Sequence, residues 1–175
     1  MKHGFPILPC LALSLAFSAQ AADQTAGGIH QGPLESRVDA LASIQPGLGV
    51  VMHEFAYRFA NTYWAANGGN WGLAQYQLKE LLEAQEVAEM TRPQRAAMLK
   101  ANEDAYLVPL AKAIEQQDIV EFKRRFAQAE AGCNGCHAAL GYAFIRYHVP
   151  EQPQHNLLDF SLKTEPAYQE TSEPK

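Results

Sequence analysis

Cys133-Asn134-Gly135-Cys136-His137 lies inside an apolar run with a helical period, near the end of a 175-residue chain. Ile119, Phe122, Phe126, Ala129, Cys133, Cys136, Leu140, Ala143 and Tyr147 follow one another in steps of three and four, the repeat of a seam between antiparallel helices. Read as one helix opening at Asp118, a good N-cap, the seam puts both cysteines at core positions. Residues three and four apart share a helix face, so Cys133, Cys136 and His137 point the same way. The C-x-x-C-H spacing is the attachment signature of a c-type haem: two thiols add across the haem vinyl groups, and the adjacent imidazole binds the iron. Helix bundles build cofactor sites in such seams.

Two other readings of the cysteines are weaker. A thiol–disulfide pair of the thioredoxin type opens a helix after a strand, whereas this motif has an apolar helical pattern on both sides. A zinc site needs a second ligand pair, and the third cysteine, Cys10, belongs to a leader. Residues 1–21 start with Lys2, continue through the apolar run Ile7 to Phe17 and end Ala19-Gln20-Ala21. That is the pattern of a secretory signal peptide cleaved after Ala21, too short to span a membrane. Export agrees independently with the haem motif, because c-type haem is attached in an oxidising compartment, here the periplasm.

The remaining chain of about 154 residues suits one domain. Without Lys2 it has 13 basic against 19 acidic side chains. Nucleic acid is therefore an unsuitable partner, and an acidic surface favours weak docking with positively charged proteins. Residues 22–47 read as a flexible lead-in with a short helix over Leu34 to Ile44, stopped by Gln45-Pro46-Gly47. A first long helix is expected at about 48–66, with Met52, Phe55, Phe59 and Tyr63 on its core face and Asn67-Gly68-Gly69 as its stop. A second opens at Asn70 and runs to about Met90. Trp71, Ala74, Leu78, Leu81 and Ala88 form its stripe, interrupted by Gln85.

A third helix begins after Thr91 with Pro93 in its first turn and reaches about Gln116. Met98, Ala101, Ala105 and Val108 are its expected stripe, and Pro109 is expected to kink or split it. The fold predicted is thus all-α, an antiparallel four-helix bundle over residues 48–149. Residues 150–175 should form an irregular tail, with Leu157, Leu158 and Phe160 against the bundle.

Four helices of about twenty residues, an export signal and C-x-x-C-H on the last helix resemble the class II c-type cytochromes, cytochrome c prime and its low-spin relatives. Leu48-Gly49-Val50-Val51-Met52, Tyr63-Trp64-Ala65-Ala66, Asn70-Trp71-Gly72-Leu73-Ala74-Gln75-Tyr76 and Cys133-Asn134-Gly135-Cys136-His137 carry the likeness, which covers roughly residues 46–150. The resemblance implies one covalent haem c, thioether bonds from Cys133 and Cys136, and His137 as proximal ligand. Low-spin relatives supply a methionine from the first helix as sixth ligand, and Met52 stands at the matching place. High-spin members have an apolar residue there and an iron open to small gases.

His53 is the rival to Met52, with Gly49, Ala56 and Ala60 leaving room for a flat cofactor. Met90 and Met98 would serve only if their helices reached the distal face. Arg58, Arg125 and Arg146 are the candidate propionate partners; His30, His148 and His155 read as surface residues. No Ser/His/Asp grouping, phosphate loop or carboxylate pair stands out. The expected activity is thus not enzymatic: an exported monohaem cytochrome carrying single electrons between redox partner proteins, with no membrane span after cleavage and with homodimer formation left open. The alternative is a five-coordinate, cytochrome c prime-like protein binding nitric oxide or carbon monoxide. A weak peroxidase would need an open iron and a polar helper, for which His53 is the candidate.

Overall fold

A computed structural model describes residues 29–155 and 157–167. The expected leader, 1–21, lies outside these residues, as does the end of the tail. Among the described residues the chain is all-helical, with no strand and a single isolated bridge between Asn70 and Thr164. None of these helices is long and apolar enough to cross a membrane.

Residues 29–44 belong to a unit of their own. Its helix α1, Leu34–Ser43, buries no side chain; Arg37 Nε donates to the Ile29 carbonyl at 3.0 Å.

From Gln45 onward the elements are α2 (Leu48–Gly68), α3 (Trp71–Thr91), α4 (Pro93–Asn102), a π-helical stretch (Glu103–Leu107), α5 (Val108–Glu115) and α6 (Ile119–Ala139). The ends follow from local chemistry. Gly69, at φ 82°, takes the left-handed turn that closes α2: its N–H reaches the Ala66 carbonyl, and the Asn70 N–H reaches that of Ala65. Asn70 then caps α3 by accepting from the Leu73 N–H at 3.1 Å. Asp118 Oδ1 caps α6 by accepting from Val120 and Glu121, both at 3.0 Å.

The π stretch lies where Pro109 disturbs the helix. Proline has no N–H to give the carbonyl four residues back, Ala105, and its ring crowds that carbonyl. The chain widens by one residue there, and Val108 N–H bonds to the Glu103 carbonyl instead. Leu99, Leu107, Leu110, Ala113 and Ile114 are the buried residues, while Met98, Ala101 and Ala105, expected on the core stripe, are exposed.

α2 lies along α3, α3 contacts α4 and α5, and α6 packs on α5, the π stretch, α2 and α4. Aromatic rings dominate the main core. Phe59 stacks on Phe126 at 4.1 Å, Tyr63 tilts against Phe126 at 4.8 Å, and Trp71 meets Phe122 edge-on at 6.0 Å, pairs worth about 0.5–1.5 kcal/mol each beyond their burial. A second cluster, Val51, Ala88 and Leu99, has Leu48, Met52 and Ala84 around it. Met52 also packs against the main core, so it bridges the two clusters.

Beyond Ala139 the chain is irregular and crosses the α2–α3 junction. Asn70 Nδ2 donates to the Asp159 carbonyl at 2.8 Å, and Thr164 Oγ1 lies 2.6 Å from Asn70 Oδ1. Phe160 packs on the core, whereas Leu157, expected beside it, is 80 % exposed. Its backbone N–H donates to His155 Nδ1 at 3.2 Å.

Candidate haem site

The helix carrying the motif ends sooner than its apolar spacing suggests. Gly141, at φ 83°, reverses the chain after Leu140 with both bonds of a Schellman turn, Gly141 N–H to Ala138 and Tyr142 N–H to the His137 carbonyl at 2.7 Å. Ala143 and Tyr147 therefore do not continue the α6 seam. The segment from Tyr142 to Tyr147 folds back over the motif and is fastened to it. Asn134 grips Tyr147 twice, Nδ2 donating to its carbonyl at 2.9 Å and Oδ1 accepting from its N–H at 2.7 Å.

That reversal orients His137. Its Nδ1 is 2.9 Å from the Ile145 carbonyl oxygen. A carbonyl only accepts, so Nδ1 carries a proton, and in the neutral ring Nε2 is the nitrogen with the free lone pair. Metal-binding histidines are commonly prepared by such a bond through the other ring nitrogen. Also on α6, Gly132 lies under the Tyr106 ring from the π stretch; a Cβ built there would approach the ring to 2.5 Å.

Cys133, Cys136 and His137 line one cavity of about 720 Å³, within the size range of small-molecule sites, ~300–1,000 Å³. Met52, His53, Gly49, Ala56 and Phe59 contribute its α2 wall, and Gln85 on α3 and Arg92, Arg95 and Met98 on or beside α4 also line it. Phe59 is thus common to the aromatic core and the cavity floor. Both cysteines are free thiols, half-buried. Burial pushes the Cys133 thiol up to about 11 and raises that of Cys136. A thiol–disulfide catalyst relies on the opposite shift, towards a stabilised thiolate.

Of the expected ligands, Met52 is half-buried in the cavity wall, and His53 is exposed yet also lines it. Met90 is 83 % exposed and outside the lining. Met98 does line it, but its Sδ rests 3.3 Å from Cys136 Sγ, beside the motif. Among the candidate arginines, Arg58 pairs with Glu54 at 2.7 Å and Arg125 with Glu121 at 2.7 Å, and neither reaches the cavity. Arg146 does.

Arg92 and Arg95, beside and within the first turn of α4, were not singled out by sequence reasoning. Nothing in their spacing marks them; only the packing of α4 near α6 brings them to the cavity. No aspartate or glutamate is among the lining residues.

Two of the lining residues each carry a buried polar atom with no hydrogen-bond partner among the described residues, Tyr147 Oη and Gln85 Oε1. Burial drives the Tyr147 phenol well above its ordinary value. Among the described residues no three His, Cys, Asp or Glu side chains converge as a metal cage. Free thiols, a prepared imidazole, a thioether and an apolar floor around one cavity match what a covalent haem requires. No family model, curated protein or solved structure matches this chain.

Proposed function

We propose that this chain is an exported monohaem c-type cytochrome of the class II, four-helix antiparallel bundle kind, which carries single electrons between redox partner proteins in the periplasm. One observation carries the reading: both thiols and the imidazole of C-x-x-C-H line a single largely apolar cavity with Met52, and His137 Nδ1 is already committed to the Ile145 carbonyl.

Cys133 and Cys136 would hold the haem by thioether bonds, His137 Nε2 would bind its iron, and Met52 would be the sixth ligand. The haem supplies a one-electron couple, and a thioether ligand favours its reduced state. The chain's own part is to fix and shield that couple. The Ile145 carbonyl holds the imidazole in one tautomer and orientation. Phe59, Ala56 and Leu99 keep water from the floor, and Arg92, Arg95 and Arg146 offer positive charge to propionates.

Changing Cys133 or Cys136 to Ala tests the reading directly. Each single variant should leave haem partly or wholly extractable by acid-acetone from the exported protein, whereas the wild type should retain it. Fully covalent haem in both variants would falsify the assignment.

A further inference from the structure

The segment that Gly141 turns back over the motif is apolar yet exposed. Phe144 is 79 % exposed; Tyr142, whose ring it meets edge-on at 6.0 Å, and Ile145 are each about half exposed. The same segment is held in one shape. Tyr142 N–H bonds to the His137 carbonyl, Ile145 N–H to the Tyr142 carbonyl at 2.8 Å, the Ile145 carbonyl to His137, and Tyr147 to Asn134. A lip fixed in this way displays its side chains without a further ordering cost on contact, and large apolar residues exposed together mark a contact surface.

Charge is segregated around the lip. Tyr142, Ile145 and Arg146 line the cavity and are exposed as well, so they form its rim; Arg92 and Arg95 are half-buried in the same wall. Residues 45–53, 92–102 and 131–150, which supply most of the lining, hold no aspartate or glutamate in a chain that has 19. At their borders Glu54 pairs with Arg58, Glu103 with Lys100, and Glu130 accepts from the Val149 N–H. Among the described residues none of Arg92, Arg95 and Arg146 pairs with a carboxylate. Three guanidinium groups exceed the two propionates of a haem, so the rim stays positive with the haem in place, and more so when the iron is ferric. With a Debye length of about 8 Å, a docking protein senses this local charge rather than the acidic total.

We propose that residues 142–146, with Arg92 and Arg95 beside them, form the docking surface for the electron-transfer partner, and that this partner is an acidic protein with an apolar centre to its contact patch. The proposal rests on the haem reading above, and it differs from the basic partner that the overall charge suggests. In the docked pair one electron passes between the haem iron and the partner's redox group; no bond forms or breaks. Ile145 is one hydrogen bond from His137, so a partner on the lip sits beside the proximal ligand.

The test is the rate at which the reduced, haem-loaded full chain gives its electron to two small oxidants of opposite charge, ferricyanide and tris(phenanthroline)cobalt(III), and to an acidic plastocyanin as a protein probe. From low salt to about 0.15 M, the ferricyanide and plastocyanin rates should fall by about tenfold, whereas the rate with the cationic cobalt complex should hold or rise. Phe144→Ser should slow transfer to plastocyanin by about fivefold and leave the ferricyanide rate unchanged. Ferricyanide or plastocyanin rates that hold or rise with salt overturn the proposal, and this wild-type result decides it if the variant does not fold. An unchanged plastocyanin rate in Phe144→Ser overturns it too, as do wild-type dimers that Phe144→Ser dissolves, which would give the lip to a second copy of the chain. Failure of the haem reading is seen separately, as wild-type protein whose intact mass lacks one haem.

Discussion

At His137 one hydrogen bond divides the work of the ring: Nδ1 is tied to the Ile145 carbonyl and Nε2 is left to act as a base or ligand. Met52 is the residue whose role is then most open to test. Met52→Ala in the haem-loaded protein should convert a six-coordinate, low-spin spectrum to a high-spin one, at a stability cost on the order of 2 kcal/mol for truncating a partly buried side chain. A spectrum that does not change would remove Met52 from the iron. The motif residues were legible because their spacing is itself the chemistry. Gln85 was legible only as a break in an apolar stripe; its Nε2 donates to Glu103, 18 residues away, a partner that no local spacing shows. Arg92 and Arg95 carried no local signal, since only tertiary packing brings them to the cavity.

The starts of α3 and α6 and the glycine stop of α2 were the most readable features, because caps act through the nearest few residues. Asn70 has a second task that spacing does not reveal, since it anchors the returning tail at Asp159 and Thr164. Asn70→Ala should therefore cost more than an ordinary cap, about 2 kcal/mol, seen as a lower Tm; a change under about 0.5 kcal/mol would mean that the tail contacts contribute nothing. In the first turn of α6, Arg124 and Arg125 hold the Glu121 carboxyl at about 2, below its ordinary 4.5. Because the folded value is the lower one, this contribution to stability is present above the ordinary range and is lost as pH falls through about 2. Glu121→Gln should lower Tm at neutral pH, and the gap should close towards pH 2; a gap independent of pH would contradict the pairing. The π stretch was not legible as such. Pro109 signalled a break but not the inserted residue between Glu103 and Leu107; upstream of it, the face of α4 that is buried carries Leu99 rather than Met98 and Ala101.

For the whole molecule, the all-helical class followed from the periods and the stops, while the path of the chain after Ala139 did not. Leu140, Ala143 and Tyr147 keep helical spacing although Gly141 turns the chain back between them, and the glycine was the signal that outranked the period. The cavity surroundings are also unlike the chain as a whole. Three arginines and no carboxylate line it, in a protein whose formal charge is −5. The most direct measurement is the absorption spectrum of the exported, purified protein, oxidised and reduced, with and without carbon monoxide. A low-spin c-type spectrum with the weak red sulfur-to-iron band and no response to the gas is the predicted result. A high-spin spectrum that shifts with carbon monoxide would replace the electron carrier with a gas-binding protein, and a spectrum without haem bands would contradict the account at its centre.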